Sequence, residues 1–506
     1  MEQTFRGAMG WLHTWTGVVL AGLLFAIFWM GTLSVFDREI DRWMMPATRL
    51  ALPESPLPLD TLQPLIQESA ATRASFWSVL LPTDRMPMFR VAWRTPSGPV
   101  VRYLDPVTGA SLPDPGTLAG TQFLYPFHYN LHIRFAQLGS WLVGFAGMAM
   151  LVLCVSGVVI HRKLFADFFA FRIDRKPRRS ILDLHNVAGV LGLPFHIAIT
   201  LSGLIIFYSV YFAAVWQVAY QGDRRAFGAE AFDLFDRAKA NKPGTLASLD
   251  EMVTRARESW EGDVPRFVTV RNPGDAAAVV QVSRANDDRV RAAADVASFD
   301  ATTGQLLHQR LGAQPVVTAS RFISGFHLIQ FRHWTLRWLY FGLGLLGCVL
   351  IATGALFWLD SRRRRHAQLG LRGVRIVEGL TVGSVAGLLV ATLAFFVVNR
   401  LLPPGAAFLG HGRAALEIWT FYLVWLATFA HAWSRPGHAW VEQLGMIATL
   451  APAAVLLNWM TTGHHLGLTL GLRHLWPVGG MDLMLLLVAA LATGAALQLR
   501  RRKPAA

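Results

Sequence analysis

Charged residues are scarce along most of this chain. Asp, Glu, Lys and Arg make up 16% of its 506 residues, whereas 53% are hydrophobic. Six long intervals contain none of these four residues; they lie between Arg6 and Asp37, Arg134 and Arg162, Asp183 and Asp223, Arg337 and Asp360, Glu378 and Arg400, and Glu442 and Arg473. Each interval can hold the ~20 apolar residues that a helix needs to cross a bilayer. Two further apolar stretches, about 414–434 and 477–499, bring the predicted spans to eight.

Cysteine is almost absent. The two cysteines, Cys154 and Cys348, both lie inside apolar intervals. The sequence therefore excludes a disulfide framework, a CxxC zinc site and a CxxCH haem-attachment site. No Gly-x-Gly-x-x-Gly motif follows a predicted strand, so nothing indicates a flavin or nicotinamide site. Both cysteines are expected to be small buried apolar residues.

The net charge of +15 is concentrated on one side of the predicted membrane. Every basic cluster follows an even-numbered span: Arg162–Lys163, Arg172–Arg179, Arg362–Arg365 and Arg500–Lys503. The positive-inside rule makes that side cytoplasmic, and both termini with it. The basic excess is thus a topology signal, and nucleic-acid binding is not expected. The first span is too long for a cleaved signal peptide and predicts a permanent anchor in a bacterial inner membrane.

Two polar stretches, 37–127 and 221–320, separate the spans and are predicted to be extracytoplasmic. Each has a helical segment, then two strands joined by a Pro- and Gly-containing turn. The predicted elements are Leu59–Ala71, Phe89–Arg94 and Val100–Leu104 in one stretch, and Leu246–Trp260, Phe267–Arg271 and Ala278–Arg284 in the other. Each stretch ends in an Asp-x-x-Thr-Gly turn, at Asp105 and at Asp300, 195 residues apart.

The spans repeat as well. His13 to Gly17 in the first span matches His185 to Gly189 in the third, with an offset of 172 residues. The second and fourth spans match with an offset of 197. Residues 1–365 are therefore predicted to be two copies of a span, a small domain and a second span. The predicted boundaries are 1–36, 37–127 and 128–165 for the first copy, 181–220, 221–320 and 321–360 for the second, and 366–506 for a four-helix extension.

These motifs resemble the PepSY-associated transmembrane family, whose members include iron-regulated membrane proteins and ferric-siderophore reductases. The resemblance covers about 1–365 and depends on Leu12–Gly17, Phe127–His132, Asp183–His185, Gly325–His327 and the two Asp-x-x-Thr-Gly turns. It implies an all-α polytopic membrane protein of about eight transmembrane helices with two small α+β PepSY-like extracytoplasmic domains. Residues 366–506 lie beyond the resemblance.

Histidines are the candidate functional residues, because ionisable groups inside a membrane are costly and usually functional. Imidazole binds haem iron axially, and helical bundles build such sites from facing helices. Matching positions in the two copies predict two haem b groups, one held by His13 with His185 on the cytoplasmic side and one by His132 with His327 outside. His161 and His196 are reserve ligands.

Helical geometry supports this choice. His185 and His196 are 11 residues apart and share a helix face, separated by ~16 Å along the axis. His132 and His161 also share a face, ~43 Å apart, if their helix is continuous. Hydrogen-bonded interfacial anchoring is the competing interpretation of each histidine alone, and it is the one expected for the tail residues His411, His431, His438, His464, His465 and His474. Zinc is the second choice of metal.

Neighbouring residues could complete haem sites. Small residues would let a flat macrocycle approach the backbone; the candidates are Gly17, Gly189, Gly144, Gly147, Gly342 and Gly344. The aromatic candidates to flank it are Trp11, Trp15, Phe127 and Phe326. Candidates to pair with the propionates are Arg6 and Arg162–Lys163 on one side and Arg134, Arg332 and Arg337 on the other.

The predicted function is that of an inner-membrane haem b protein that transfers electrons across the membrane. The resemblance implies reduction of a ferric-siderophore or another periplasmic Fe(III) substrate, with a quinol or a cytoplasmic reductase as electron donor. Two alternatives stay open. One is a transporter of an iron-chelate or another solute that uses the repeat symmetry. The other is a non-enzymatic regulator whose extracytoplasmic domains bind a peptide or protease.

Overall fold

The computed structural model describes residues 4–161, 177–212, 214–285, 288–290, 295–312 and 315–501. Within these ranges, eight helices are long and apolar enough to cross a membrane, as the sequence predicted. They are α1 (Phe5–Ser34), α2 (Leu138–Ile160), α3 (Pro177–Ile206), α4 (Trp334–Gln368), α5 (Gly373–Leu401), α6 (Arg413–Ser434), α7 (Ala439–Thr462) and α8 (Trp476–Arg501).

The chain divides into two compact units. The membrane unit comprises residues 1–46, 116–204 and 334–506, and the sheet unit comprises 47–115 and 205–333. In the membrane unit, α1 runs antiparallel to both α2 and α4. The guanidinium of Arg6, near the start of α1, donates to the Ile160 carbonyl at the end of α2. At the other end of α1, Arg337 of α4 donates to the Val35 carbonyl over 2.8 Å.

Arg337 is a fully buried cation whose charge is satisfied inside the protein. Its side chain is 0% exposed and forms a bidentate ion pair with Glu39, at 3.1 and 2.7 Å. It also lies 4.6 Å from the Phe36 ring centroid. A buried ion pair is tolerated only when such geometry compensates its desolvation. Arg337 therefore links α4 to the end of α1. This role differs from the propionate binding that was expected from the sequence.

The backbone between His132 and His161 is not a continuous helix, which corrects the basis of the ~43 Å calculation. Leu131, His132, Ala136 and Gln137 all have positive φ angles of 45–57°. The helix α2 therefore begins only at Leu138. Gly139 permits the backbone to pack closely at this break, because a Cβ there would lie 1.7 Å from the Asn130 carbonyl oxygen. The two histidines consequently share no helix face.

The extension of four helices is joined to the repeat by buried polar side chains. Glu417 of α6 is 0% exposed and accepts a hydrogen bond from Asn399 of α5 over 2.8 Å. Its second oxygen accepts from Thr117, which precedes α2. Asp482 of α8 accepts from the Trp43 indole over 2.7 Å. Each of these groups would be expensive to bury without its partner.

The sheet unit contains one seven-stranded antiparallel sheet. Its strands are β1 (Phe76–Leu80), β2 (Phe89–Thr95), β3 (Gly98–Leu104), β4 (Pro265–Arg271), β5 (Val279–Arg284), β6 (Val296–Asp300) and β7 (Leu306–Arg310). Their order is β3-β2-β1-β4-β5-β6-β7. The alternating pattern predicted β2, β3, β4 and β5, whereas β1, β6 and β7 were not predicted.

Strands β1 and β4 pair across the two polar stretches, with Trp77 opposite Val270 and Val79 opposite Val268. The two stretches therefore share one sheet and one core. Ile66 of the helix Gln63–Ala71 and Met252 of the helix Leu249–Ser259 are buried in that core. Trp77, Val79, Val268 and Val270 bury one face of this junction, which makes separation of the two halves costly.

Candidate functional site

A cavity of about 470 Å³ lies among α1, α2, α3 and α4 of the membrane unit. Small-molecule and cofactor sites occupy about 300–1,000 Å³, so the cavity has the size of such a site. Four histidines line it: His13, His161, His185 and His196. The structure therefore brings together one of the predicted pairs and both reserve residues. We call this space the histidine cavity.

His13 and His185 are held by the same contacts in the two copies of the repeat. Nδ1 of His13 lies 3.1 Å from the Leu153 carbonyl and 3.0 Å from the Ser156 hydroxyl. Nδ1 of His185 lies 2.9 Å from the Leu350 carbonyl and 3.4 Å from the Thr353 hydroxyl. The partners Leu153 and Leu350 are related by the 197-residue offset of the spans.

These contacts fix the state of each ring. A carbonyl oxygen can only accept a hydrogen bond, so Nδ1 carries the proton in both histidines. Nε2 then has a free lone pair, which is the arrangement in which a metal-binding imidazole is oriented by its other nitrogen. The partners Leu153, Ser156, Leu350 and Thr353 were not predicted, although their common offset is visible in the sequence.

The two rings are close to each other and almost perpendicular. Their centroids are 6.4 Å apart and their planes form an angle of 83°. Metal–imidazole bonds are about 2 Å long, so two imidazoles on opposite sides of one metal have centroids about 6 Å apart. The spacing of His13 and His185 thus fits two axial ligands of one iron.

His161 and His196 each have one buried ring nitrogen that makes no hydrogen bond within the described part of the chain. These atoms are Nε2 of His161 and Nδ1 of His196. The other nitrogen of His196 lies 3.3 Å from the Leu343 carbonyl. A buried polar atom without a partner is uncommon and requires an explanation. In a cavity lined by two further imidazoles, a ligand that these nitrogens contact is a consistent explanation.

Glycines keep space for the imidazole rings. A Cβ at Gly157 would lie 3.3 Å from Cε1 of His13, and a Cβ at Gly354 would lie 3.1 Å from Cε1 of His185. The predicted Gly17 and Gly189 also line the cavity. Gly147 and Gly344 instead face Leu204 and Thr32, where they permit close helix packing. The histidine cavity is thus lined by glycines at matching positions in the two copies.

Among the described residues that line the histidine cavity, Arg362 of α4 is the one Arg or Lys. Its guanidinium lies 4.7 Å from the Trp358 ring centroid, a cation–π distance. From the sequence, Arg362 was expected only as part of a basic cluster that indicates topology. Of the predicted propionate partners, Arg6 binds a carbonyl, Arg134 and Arg332 are exposed, and Arg162–Lys163 lies outside the described residues.

The second predicted pair is distributed over the two units. His132 belongs to the membrane unit, and its Nε2 lies 2.9 Å from the Phe123 carbonyl. His327 belongs to the sheet unit and lies in the last turn of the helix Pro315–Leu328. This pair stays a prediction. His128 is a further, half-buried imidazole, whose Nδ1 lies 2.8 Å from the Ile27 carbonyl and whose ring lies against Gly31.

Among the residues that the structure describes, no group of three or more His, Cys, Asp or Glu side chains could hold a metal ion. A tetrahedral structural zinc site takes four protein ligands, and a catalytic one takes three. A six-coordinate haem takes two axial imidazoles. The pair formed by His13 and His185 has the two imidazoles that such a haem takes.

Comparison with known proteins gives the family. The model of the PepSY-associated TM region matches residues 10–361, more than half of the chain. The chain therefore belongs to this family. An uncharacterised protein of Pseudomonas aeruginosa is 29% identical over 395 residues, which cover 73% of this chain and 92% of the relative.

Proposed function

We propose that this member of the PepSY-associated transmembrane family is an inner-membrane haem b protein that transfers electrons across the membrane. Its proposed substrate is a ferric-siderophore or another periplasmic Fe(III) compound. One observation carries the proposal: His13 and His185 are held by equivalent carbonyl contacts in the two copies, with their ring centroids 6.4 Å apart in one cavity.

The residues of the cavity fit a haem b group in three respects. His13 and His185 present Nε2 lone pairs because their Nδ1 atoms are bonded to backbone carbonyls. Gly17 and Gly189 have no side chain and so leave space for a flat group in the cavity. The guanidinium of Arg362 provides a cation that can pair with a propionate. Haem bound here would supply one-electron transfer, and the protein would tune its potential by ligand identity and burial.

The surrounding side chains would set that potential. The hydrogen bonds from Nδ1 to Leu153 and Leu350 increase the basicity of each imidazole, which favours ferric iron. The apolar side chains Leu24, Met150 and Leu193 line the same cavity and exclude water. Burial disfavours the form with the greater net charge and so opposes the hydrogen-bond effect. The proposed donor is a quinol or a cytoplasmic reductase.

A visible spectrum of the purified protein tests the proposal directly. The oxidised protein should show a haem Soret band, and reduction with dithionite should give the sharp bands of six-coordinate, low-spin haem b. Extraction of the pigment into acid acetone should succeed, because the two cysteines form no attachment motif. A colourless protein, purified from cells supplied with haem precursor, would refute the proposal and favour the transporter or the regulator.

A further inference from the structure

A second cavity in the membrane unit, of about 740 Å³, lies between the repeat and the extension. Its walls come from α1 and α4 on one side, α5 and α6 on the other, and the segment before α2. Most of the lining is aliphatic or aromatic, including Ala26, Phe127, Trp425 and Phe429. We call this space the lateral slot. It depends on how the extension packs, so no sequence motif predicts it.

The lateral slot is long and open to the lipid-facing surface. Its lining on α6 extends from Ile418 to Phe429, which is ~16 Å at the rise of an α-helix. Val19 and Leu380 line it while remaining 73% and 44% exposed. Exposed apolar residues of membrane-spanning helices face lipid. A hydrophobic molecule could therefore enter the slot from the bilayer.

One end of the slot carries hydrogen-bond acceptors. The Tyr422 hydroxyl donates to the Leu131 carbonyl over 3.2 Å, so its oxygen can still accept. Nε2 of His132 lies 2.9 Å from the Phe123 carbonyl and must donate to it. Nδ1 of His132 is therefore the ring nitrogen with a lone pair. Phe127 and Trp419 line the same end and provide flat surfaces for a ring.

The composition of the lining favours a ring that donates hydroxyl hydrogen bonds over a phospholipid. Among the described residues that line the slot, none is Lys or Arg, so a phosphate headgroup would have no cationic partner. A polar headgroup that is neutral avoids this cost. A long apolar tail would occupy the remaining ~16 Å of the slot along α6.

The lateral slot is adjacent to the histidine cavity. Val18 of α1 and Ile351 and Ala355 of α4 line both spaces. A single layer of side chains therefore separates them at this point. The shared residues lie at the end of the slot away from Tyr422, since Val18 packs with Val377 and Trp358. The adjacency therefore connects the slot to the proposed electron-transfer site at that end.

We propose that the lateral slot binds a lipophilic quinol, with its headgroup between His132 and Tyr422 and its tail along α6. This proposal rests on the proposed function and names its electron donor. One quinol loses two electrons and two protons and becomes a quinone, while two molecules of the proposed Fe(III) substrate each gain one electron and become Fe(II). Nδ1 of His132 accepts the hydrogen bond of one hydroxyl and passes its proton to water, and the other hydroxyl, which donates to Tyr422, releases the second proton to water. This role replaces the outer haem ligation predicted for His132.

The test uses the whole protein in phospholipid nanodiscs and a tritium-labelled benzoquinol with a decyl tail, kept reduced under anaerobic conditions. The blocking variant is Val19→Trp, which replaces a small side chain at the exposed opening of the slot by a bulky indole ring. Its matched control is Leu423→Trp, a 65% exposed position of α6 outside the slot. Binding should be saturable in the wild type and the control and about tenfold weaker in Val19→Trp.

Two headgroup variants complete the test. Tyr422→Phe and His132→Ala should each weaken binding about fivefold, because each removes one polar contact, and His132→Ala should keep its full haem content. Equal binding by all variants, or binding that never saturates, would mean partition into lipid and would overturn the proposal. Loss of haem in His132→Ala would overturn the role given to His132. Because binding is measured without haem reduction, a haem-free protein would refute only the proposed function.

Discussion

At the residue scale, the decisive feature is the way in which the protein holds its imidazoles. A histidine at a membrane interface is usually an anchor, and the sequence could only weigh that interpretation against haem ligation. The structure separates them by contacts. His13 and His185 use Nδ1 for backbone carbonyls and keep Nε2 available, whereas buried nitrogens of His161 and His196 make no hydrogen bond in the described chain.

These contacts lead to a prediction about ligand identity. His13→Ala and His185→Ala should remove the same haem and give the same altered spectrum, because one iron requires both imidazoles. If the protein holds two haems, each variant should keep about half of the wild-type haem. Haem content is measured by pyridine haemochrome assay per mole of protein.

The tail provides a matched control, since His464→Ala changes a histidine that lies outside the histidine cavity. Its haem content and spectrum should remain those of the wild type. Two outcomes would contradict the assignment of the pair: full haem content in both His13→Ala and His185→Ala, or losses that differ spectrally between them. Loss of haem in His161→Ala or His196→Ala would instead identify a reserve residue as a ligand.

At the scale of elements, the two Asp-x-x-Thr-Gly turns show how a short motif closes a strand. Asp105 Oδ1 accepts from the backbone N–H groups of Val107 and Thr108, both at 2.8 Å. Asp300 Oδ1 accepts from Thr302 and Thr303 at 2.9 and 3.0 Å. The glycine that ends each turn has a φ of 72° or 70°. Both turns are thus closed by Asp side-chain hydrogen bonds and a left-handed glycine.

Substitution of the turn glycine should destabilise the sheet unit without affecting the haem site. Gly304→Val places a β-branched residue in the left-handed region, at a cost of about 1–3 kcal/mol. The control Gly412→Val occupies open space with an ordinary φ of −79°. Yield and thermal stability should fall only for Gly304→Val, while the spectrum per haem stays unchanged. A spectral change at normal yield would show that the turn contacts the cofactor.

Acid should weaken the Asp300 turn in a defined range of pH. Although partial burial alone would raise the pKa of Asp300, hydrogen bonds from Thr302, Arg237 and Thr303 hold it well below its usual range. A carboxyl with a lowered folded pKa stabilises the protein above its unfolded pKa of about 3.9 and loses that contribution as pH falls further. Asp300→Asn should therefore lower stability near neutral pH and show a smaller loss below about pH 4 than the wild type. Equal acid sensitivity in both proteins would contradict this account.

At the scale of the whole molecule, the internal repeat and the eight spans determine the membrane topology of the chain. The described spans all carry long apolar windows, and the basic clusters follow even-numbered spans. The positive-inside rule then predicts that both termini are cytoplasmic and that residues 37–127 and 221–320 lie outside.

Reporter fusions test this topology. Alkaline phosphatase, which is active only outside the cytoplasm, should be active when fused after Gly109 and inactive when fused after Leu369. A cytoplasm-dependent fluorescent reporter should give the opposite pattern at the same two positions. Fluorescence after Gly109 would contradict the orientation, and the proposed direction of electron transfer would then reverse.

The sequence by itself determined the number of spans, the repeat, the two Asp turns and the family, because hydrophobic runs and equal offsets are local properties of the chain. It also selected His13 and His185, since matching positions in two copies are visible without a structure. Only the tertiary structure decided that β1 and β4 join the two stretches in one sheet, that Arg337 pairs with Glu39, and that four histidines line one cavity. Those facts depend on contacts between residues far apart in the chain, and such contacts are set by packing that no local pattern records.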